Sequence, residues 1–434
     1  SWSFRKAKKF FDVVTYTGDD TSNQTIAHNL GSVPGFILLK RTSTTGIWGA
    51  AASDNSGNYK AGWRLDSTSA SALTVAKSNV ATDSVVNVGY WSGNLNGSMN
   101  TSGVTYVAYV FASDAGGFGE DEDENIIKCG SYTTDGSGNA TVNLGFEPQW
   151  ILSKRTNATG AWYIRDVMRG MPVDGNNALL YPNSSGAEAA SSFALRPSAT
   201  GFTAFNDAAS QTNVYIAIRR PMKTPEAGTE VFTPVHPSAS GTFTSISGFP
   251  TDFTMNKGTG AGDANYTGSR LQGVNAMQPQ TTAAEFSVGF AYDFMDRITI
   301  AGSGNYSSWI SWNFKRATGF MDVVAYKGSG SATTQAHNLG VVPEMMIVKR
   351  RNATDLWPVY HATLGNTKYL PLNGDVAEAA WDGNWNNTTP TASVFSLGSG
   401  SYTNASSSTY VAYLFASAAG VSKVGSYTGT GSSL

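Results

Sequence analysis

The sequence is poor in the features that mark several classes of protein. It contains one cysteine, Cys129, so no disulfide can form within the chain, and the fold does not depend on the cross-links of small secreted domains. Charged residues make up only 14% of the chain and the net charge is −2, which gives no electrostatic basis for binding nucleic acid. No apolar run approaches the roughly 20 residues of a transmembrane helix. We therefore expect no nucleic-acid partner and no membrane insertion.

Recognisable catalytic motifs are also missing. There are four histidines, and none combines with cysteine at the spacing of a zinc site. The sequence has neither the Gly-x-Ser-x-Gly turn of a hydrolase nor a phosphate-binding loop. Acidic residues are available for glycoside hydrolysis, but none recurs through all the repeats described below. The sequence thus predicts that the protein is not an enzyme, with no catalytic residues and no cofactor.

What the chain has instead is internal repetition. Residues 1–16 align with residues 311–326 without a gap. The similarity continues to a closing apolar strand, which lies at 105–112 in the first copy and at 409–416 in the second. Weaker copies lie between them. Repetition of this kind predicts an array of similar modules.

The repeats divide the chain into modules of about 100 residues, a length that can bury one core. We call these modules A, B, C and A′, in chain order. The predicted boundaries are 1–10 for the closing strand of a preceding C-type module, 11–113 for A, 114–125 for an acidic, glycine-rich linker, 126–220 for B, 221–228 for a proline linker, 229–316 for the divergent C, 320–416 for A′ and 423–434 for the start of a truncated B-type module. We expect the chain to be a window from a longer polypeptide that repeats this cycle.

The composition of each module favours short strands. Aromatic and β-branched segments end at Gly, Pro, Asn or Asp, and no segment has a convincing helical period. The continuous apolar run at 36–39 predicts a strand buried on both faces. The predicted fold class is all-β, with tandem antiparallel β-sandwich modules of a jelly-roll-like kind. β-propeller-like repeats are the alternative, although about 100 residues is twice the length of a propeller blade.

Tryptophans provide the main candidates for ligand binding. Trp91, Trp381 and Trp385 lie in polar, glycine-rich loops, and Asn384 lies beside two of them. Aromatic rings can stack on sugar rings, and neighbouring amides can bond the sugar hydroxyls, so we predict glycan contacts for these four residues. The alternative is that the loops turn their tryptophans inward.

Three other tryptophans and a basic pair recur at equivalent places. Trp48, Trp162 and Trp357 each follow a Lys-Arg pair that ends an apolar strand. Their recurrence predicts packing in or near the core. For the basic pairs, recurrence favours a structural role such as protection of a sheet edge, with contact to an anionic glycan as the alternative.

Two histidines recur in the loop between strands. His28 and His337 are equivalent, while module B has Val142 at this position. The fold therefore does not require an imidazole there. We interpret these histidines as polar caps of a loop, with ligand contact as the alternative.

An acidic run occupies residues 120–124 of the linker between A and B. Carboxylate oxygens suit Ca²⁺, which makes Glu120, Asp121 and Asp123 candidate ligands. Five adjacent carboxylates repel one another, however, and such a run is usually a solvated tether. We predict no metal site, with Ca²⁺ at this run as the alternative.

Several of these segments resemble modules of virion proteins of tailed phages, in particular marine and cyanobacterial phages. The resemblance rests on residues 2–18, on the His-Asn-Leu-Gly-x-x-Pro loop with the apolar strand and Lys-Arg that follow it, and on residues 215–223. It covers A, B and A′, whereas C matches only at its closing strand. No catalytic residues accompany the motif.

The resemblance implies a structural virion protein on the surface or tail of the phage particle. It implies a segment of a tail fibre or surface appendage that presents loops to a host-surface glycan. Other virion proteins are the implied partners, and a homo-oligomer is expected, with a trimer as in many phage fibres. The alternatives are a capsid- or tail-decorating protein without a receptor role, a tailspike that depolymerises polysaccharide, and a bacterial adhesin.

Overall fold

A computed structural model of the protein describes residues 2–53, 58–69, 81–89, 99–119, 121–173, 177–238, 240–260 and 265–431. Almost all regular structure in these ranges is β-strand. The few helices found there are far too short to cross a membrane. The chain divides into two compact units. The first comprises Ser1–Asp166, Asn177–Leu195 and Thr200–Arg220, and the second comprises Val167–Asn176, Arg196–Ala199 and Pro221–Leu434.

Module A, in the first unit, is built from two antiparallel sheets. Its strands are β1 (Phe11–Thr17), β2 (Gln24–Ala27), β3 (Pro34–Arg41), β4 (Trp48–Ser53), β5 (Tyr59–Arg64), β6 (Val85–Val88) and β7 (Thr105–Ala112). The larger sheet has the order β1-β7-β3-β4-β5, and β2 pairs with β6. Ile26 and Val86 from the small sheet join the same buried cluster as Ile37 and Leu39 from the large one. Two sheets with a shared core form a sandwich, as the sequence predicts.

The apolar run at the centre of module A forms β3, an interior strand paired with β7 and β4. Phe36, Ile37 and Leu39 have no exposed surface, and Leu38 is partly exposed. The strand is therefore interior within its sheet, but one of its faces is incompletely covered.

Module B repeats the central part of this arrangement. Its strands are β8 (Ile127–Thr133), β9 (Ala140–Asn143), β10 (Pro148–Arg155), β11 (Trp162–Asp166), β12 (Asn177–Leu179), β13 (Ala189–Ser191), β14 (Ala194–Ser198), β15 (Gly201–Phe205) and β16 (Thr212–Arg219). The main sheet has the order β11-β10-β16-β8, so the first and last strands again lie side by side. β9 pairs with β15, and β12 pairs with β13.

Module C, in the second unit, has the same central sheet despite its diverged sequence. Its strands are β17 (Phe232–Val235), β18 (Ser240–Ile246), β19 (Phe253–Gly258), β20 (Asn265–Ser269), β21 (Asn275–Ala276), β22 (Phe286–Ser287), β23 (Phe290–Ala291), β24 (Arg297–Asn305) and β25 (Trp309–Phe314), with short 3-10 helices at Gly228–Glu230 and Arg270–Gln272. The order β17-β25-β19-β20 matches the first, last and middle strands of A and B. C is thus a module of the same fold, although its sequence has diverged from A and B.

Module A′ carries the longest sheet. Its elements are β26 (Met321–Lys327), β27 (Thr333–Ala336), β28 (Met345–Arg350), β29 (Pro358–His361), β30 (Lys368–Pro371), β31 (Ala379–Ala380), α1 (Asp382–Trp385), β32 (Val394–Leu397), α2 (Ser401–Asn404) and β33 (Thr409–Phe415). The main sheet has the order β26-β33-β28-β29-β30-β31, and β27 pairs with β32. The protein is therefore a series of antiparallel β-sandwich modules with open sheets, and the described residues form no propeller.

The modules within a unit share buried surface. One cluster joins Phe36 of A to Trp150, Trp162 and Ile216 of B. The rings of Phe36 and Trp162 meet edge to face with centroids 6.3 Å apart. In the second unit, a cluster joins Phe253 of C to residues of A′, and another cluster lies within A′ itself. The junction between A and B and the junction between C and A′ are therefore each packed as a core.

Candidate functional site

Two loops of module A′ bring three aromatic side chains together, and all three are partly exposed. Trp381 precedes α1 and Tyr402 lies in α2, and their ring centroids are 4.6 Å apart at an angle of 73°. Tyr369 of β30 contacts Tyr402 with centroids 6.2 Å apart. We call Tyr369, Trp381 and Tyr402 the aromatic cluster. It offers ring surface to solvent from a module whose interior is closely packed.

Two glycines make room for the ring of Trp381. A Cβ atom at Gly383 would lie 2.5 Å from Cε2 of Trp381, and a Cβ atom at Gly400 would lie 2.6 Å from another carbon of the ring. The backbone N–H of Gly400 donates to the carbonyl of Gly383 at 2.8 Å, which ties the two loops together. The indole thus packs directly against backbone, so the loops hold it in place while part of the ring remains exposed.

Hydrogen-bonding side chains follow Trp381 in the chain. Asp382, Asn386 and Asn387 are exposed. Asn386 ends α1 with a left-handed backbone, at φ 52°, which asparagine adopts more readily than most residues. A partly exposed ring with carboxylate and amide groups close to it in the sequence is a chemical combination suited to binding a sugar.

Two of the residues predicted to contact a glycan lie inside module A′ instead. Trp385 is 1% exposed, and its indole N–H donates to the carbonyl of Lys368 at 3.0 Å. Asn384 is fully buried, and neither polar atom of its amide has a hydrogen-bond partner among the described residues. The loop therefore turns Trp385 and Asn384 inward and leaves Trp381 at the surface.

The fourth predicted residue, Trp91, lies outside the residues that the structure describes. Tyr369 and Tyr402 were not among the residues predicted from the sequence. Tyr402 could have been found from Gly400-Ser401-Tyr402, because an aromatic residue two positions from a glycine in a polar loop is the same signal that identified Trp381. Tyr369 gives no such signal, since it lies within a strand.

The recurring histidines are buried at equivalent loop positions. Nδ1 of His28 accepts a hydrogen bond from the N–H of Leu30 at 3.1 Å, and Nδ1 of His337 accepts one from Leu339 at 3.2 Å. Burial lowers the pKa of both histidines. A neutral imidazole suits this acceptor role, and these contacts match the interpretation of the histidines as loop caps.

The lysines of the recurring basic pairs make a contact with the neighbouring module that their sequence pattern does not predict. In A′, Nζ of Lys349 donates to the carbonyl of Thr282 in module C at 3.0 Å. The N–H of Asp355 donates to the same carbonyl at 2.8 Å, and the indole N–H of Trp357 donates to Thr281 at 3.0 Å. Three donors of one module thus hold two backbone carbonyls of the module before it.

Module B makes the same contact with module A. Nζ of Lys154 and the N–H of Gly160 both donate to the carbonyl of Thr68, at 3.0 and 2.9 Å. The indole N–H of Trp162 donates to the carbonyl of Arg64 at 2.8 Å. We call this set of a lysine, the residue six positions later and the tryptophan eight positions later the lysine–tryptophan clasp.

The clasp changes the interpretation of the basic pairs. Lys154 and Lys349 have no exposed surface, and their strands β10 and β28 are interior strands paired on both sides. Protection of a sheet edge is therefore not their role. Burial lowers the pKa of each lysine to about 8, because desolvation disfavours the charged ammonium group. Trp162 and Trp357 are 1% exposed, as predicted for core packing, whereas Trp48 is partly exposed.

The acidic linker offers no assembled metal site in its described part. Asp121 and Asp123 are exposed, and Glu120 lies outside the described residues. Glu124 instead pairs with Arg219 at 2.8 Å. Across the described ranges, no group of three or more His, Cys, Asp or Glu side chains is placed to hold a metal ion.

Comparison with known proteins identifies one family. Comparison with curated proteins gives no significant match. The model of a family described as a domain of unknown function, DUF7483, matches residues 5–217 and 298–433, which is most of the sequence. The chain therefore belongs to the DUF7483 family.

Proposed function

We propose that this chain is a structural segment of a tailed-phage virion protein that presents the aromatic cluster of module A′ to a host-surface glycan. The observation that carries the proposal is the partly exposed group of Tyr369, Trp381 and Tyr402 on a β-sandwich. The phage assignment rests on the sequence resemblance. In this proposal the protein is part of a tail fibre or surface appendage and binds without catalysing a reaction.

The chemistry of the cluster suits a neutral or weakly charged sugar. The C–H face of a pyranose ring packs against an indole, while its hydroxyl groups need polar partners. Asp382, Asn386 and Asn387 are exposed near Trp381 in the sequence and can supply them. A single site of this kind binds weakly, and presenting several copies in a homotrimer or along a fibre raises the overall avidity.

The direct test is binding to bacterial surface polysaccharides. The intact chain should bind at least one capsular or O-antigen polysaccharide on an array and should compete with phage adsorption. Trp381→Ala and Tyr402→Ala should each weaken that binding about five- to tenfold, the effect of removing an aromatic contact of about 1–1.5 kcal/mol. Tyr427→Ala is the matched control, since Tyr427 is 84% exposed and lies outside module A′. Unchanged binding by Trp381→Ala would refute the assigned site.

A second candidate is a capsid- or tail-decorating protein without a receptor role. The clasps favour it, because they join neighbouring modules into a firm array that needs no ligand. Absence of any polysaccharide signal, together with no effect on phage adsorption, would favour this candidate. Release of new reducing ends from a polysaccharide would instead indicate a depolymerising tailspike. Adherence of cells that display the chain, without any effect on phage adsorption, would indicate a bacterial adhesin.

A further inference from the structure

Module A carries a third lysine–tryptophan clasp. Lys40, Gly46 and Trp48 have the same spacing as Lys154, Gly160 and Trp162 in module B. Nζ of Lys40 donates to the carbonyl of Gly46, as Nζ of Lys154 donates to that of Gly160. The internal geometry of the clasp is therefore formed in A.

The clasp of module A differs in having no module against it among the described residues. Neither the N–H of Gly46 nor the indole N–H of Trp48 donates a hydrogen bond to any residue that the structure describes. Lys40 and Trp48 are partly exposed, whereas their equivalents in A′, Lys349 and Trp357, are 0% and 1% exposed.

The sheet face around this clasp shows the same contrast. In A′, Val323, Val411 and Tyr413 are at most 1% exposed and belong to the cluster shared with module C. Their equivalents in module A, by the alignment of the two copies, are Val13, Val107 and Tyr109. All three are partly exposed. Module A thus has the same apolar residues on this face as A′, but in A they are partly exposed instead of buried against another module.

The chain that leads into module A carries the matching strand sequence. Trp2 and Phe4 align with Trp312 and Phe314, which lie in β25, the closing strand of module C. Trp2 and Phe4 are 39% and 37% exposed and lie outside any strand. The ring of Phe4 meets the rings of Phe11 and Phe111 with centroids 5.6 and 6.3 Å apart, and Phe11 in turn stacks on Tyr109. An apolar side chain of a C-type closing strand therefore lies next to the face that a C-type module covers in A′.

We propose that the face of module A formed by Val13, Lys40, Trp48, Val107 and Tyr109 is a docking surface for a C-type module joined directly before it, held through two backbone carbonyls equivalent to those of Thr281 and Thr282. The occupant is C-type because A′, the copy that aligns with A, holds C in this structure, whereas B holds A. The surface is used for assembly of the array and is separate from the aromatic cluster.

The test extends the whole chain at its beginning. A copy of residues 221–310 is placed before residue 1, so that residues 1–4 complete its closing strand in the register of 311–314. Lysine acetylation is then followed by mass spectrometry, and amide exchange is followed at 46–48. In the unextended chain, Lys154 and Lys349 should resist acetylation and Lys40 should react. In the extended chain, acetylation of Lys40 and exchange of the Gly46 amide should each slow about tenfold or more, because both groups become buried donors.

Controls separate docking from a general effect. Lys423 is exposed and should react equally in both proteins. Trp48→Ala should restore the reactivity of Lys40 in the extended chain. Unchanged reactivity of Lys40 in an extension whose added strands are protected from exchange would overturn the proposal.

A chimera tests the same surface if the extension does not fold. Residues 11–112 replace residues 321–416, so that a second copy of module A follows module C. The original copy carries Lys40→Arg, so the only remaining Lys40 is the one in the second copy. That lysine should be as unreactive as Lys349 is in the parent chain. A reactive lysine in a folded chimera would overturn the proposal.

Discussion

The indole N–H of Trp357 donates a hydrogen bond of 3.0 Å to the backbone carbonyl of Thr281, in the module that precedes its own. Trp162 makes the same bond to Arg64 at 2.8 Å. In both cases a buried lysine reaches a neighbouring loop carbonyl beside it. Adjacent modules in each unit are thus joined by apolar packing with a small, repeated set of polar contacts at its edge.

Trp357→Ala should lower the free energy of unfolding of the second unit by about 3–5 kcal/mol, the usual cost of deleting a buried aromatic ring. The ring is 1% exposed in the core shared by C and A′, and its loss also leaves the carbonyl of Thr281 without this donor. Urea denaturation gives the difference. Trp48→Ala is the matched control and should cost less than about 1.5 kcal/mol, since Trp48 is partly exposed. Equal losses of stability for the two variants would contradict the assignment of Trp357 to a buried clasp and of Trp48 to a partly exposed one.

The clasp lysines should make stability rise with pH in the mildly alkaline range. Burial lowers the pKa of Lys154 and Lys349 to about 8, and an unfolded lysine titrates near ~10.4. Between these values the unfolded chain binds more protons than the folded chain, so the free energy of unfolding increases as pH rises from about 8 towards 10. Below about pH 8 both states are protonated and this dependence disappears. Above about pH 10 the trend reverses, because burial holds the pKa of tyrosines such as Tyr326 above its usual value.

Chemical denaturation at a series of pH values measures this effect. The double variant Lys154→Met, Lys349→Met should lose most of the rise between pH 8 and 10, because methionine has no titrating group. Lys423→Met, which changes an exposed lysine, should retain it. A rise that persists undiminished in the double variant would exclude the clasp lysines as its source.

Trp385 and Trp381 should respond to mutation in opposite ways. Trp385→Ala should destabilise module A′ by about 3–5 kcal/mol, because the ring is buried and bonded to the carbonyl of Lys368. Trp381→Ala should change stability by about 1 kcal/mol, because its ring is partly exposed. Thermal unfolding of the two variants measures both losses of stability. A larger loss for Trp381→Ala than for Trp385→Ala would show that Trp381, not Trp385, is the core residue of this loop.

The aspartates that open A and A′ form a second matched pair. Asp322 is fully buried, bonds Nε of Arg316 at 2.5 Å and accepts the backbone N–H of Asn338 at 2.7 Å. Asp322→Ala should cost about 3–5 kcal/mol, since it removes the carboxylate that is paired with the buried Arg316. Asp12→Ala should cost about 1–3 kcal/mol, because its partner Lys6 is 60% exposed and the main loss is the two backbone N–H groups that Asp12 accepts. Urea denaturation compares the two, and a greater loss for Asp12→Ala would refute this assignment.

The sequence predicts the strands of the modules well where the pattern is strong. The opening segment at Phe11–Thr17 and the closing segment at Thr105–Ala112 are strands that pair with each other, with Phe11 opposite Phe111. Their alternating aromatic and β-branched residues account for this. In module C the sequence pattern is weaker, and its central sheet keeps the strand order with different side chains.

The candidate site could be predicted only in part. The composition around Trp381 and Trp385 indicates a polar loop, but a tight turn that ends at Asn386 directs the two tryptophans differently. That choice depends on packing against Tyr360 and on the space left by Gly383 and Gly400, which no local pattern reveals. The clasp could not be predicted from the sequence for another reason. Its acceptors are backbone carbonyls, and because every residue has one, no residue type indicates where they are.

The use of main-chain acceptors has a consequence for how such arrays diversify. A lysine that donates to backbone carbonyls of the neighbouring module requires a particular shape of that module's loop, but almost no particular side chains in it. Thr68 and Arg64 in one junction, and Thr282 and Thr281 in the other, serve equally well although their loops are unalike. Modules whose outward loops change freely can therefore be exchanged or inserted without redesigning the joints between them.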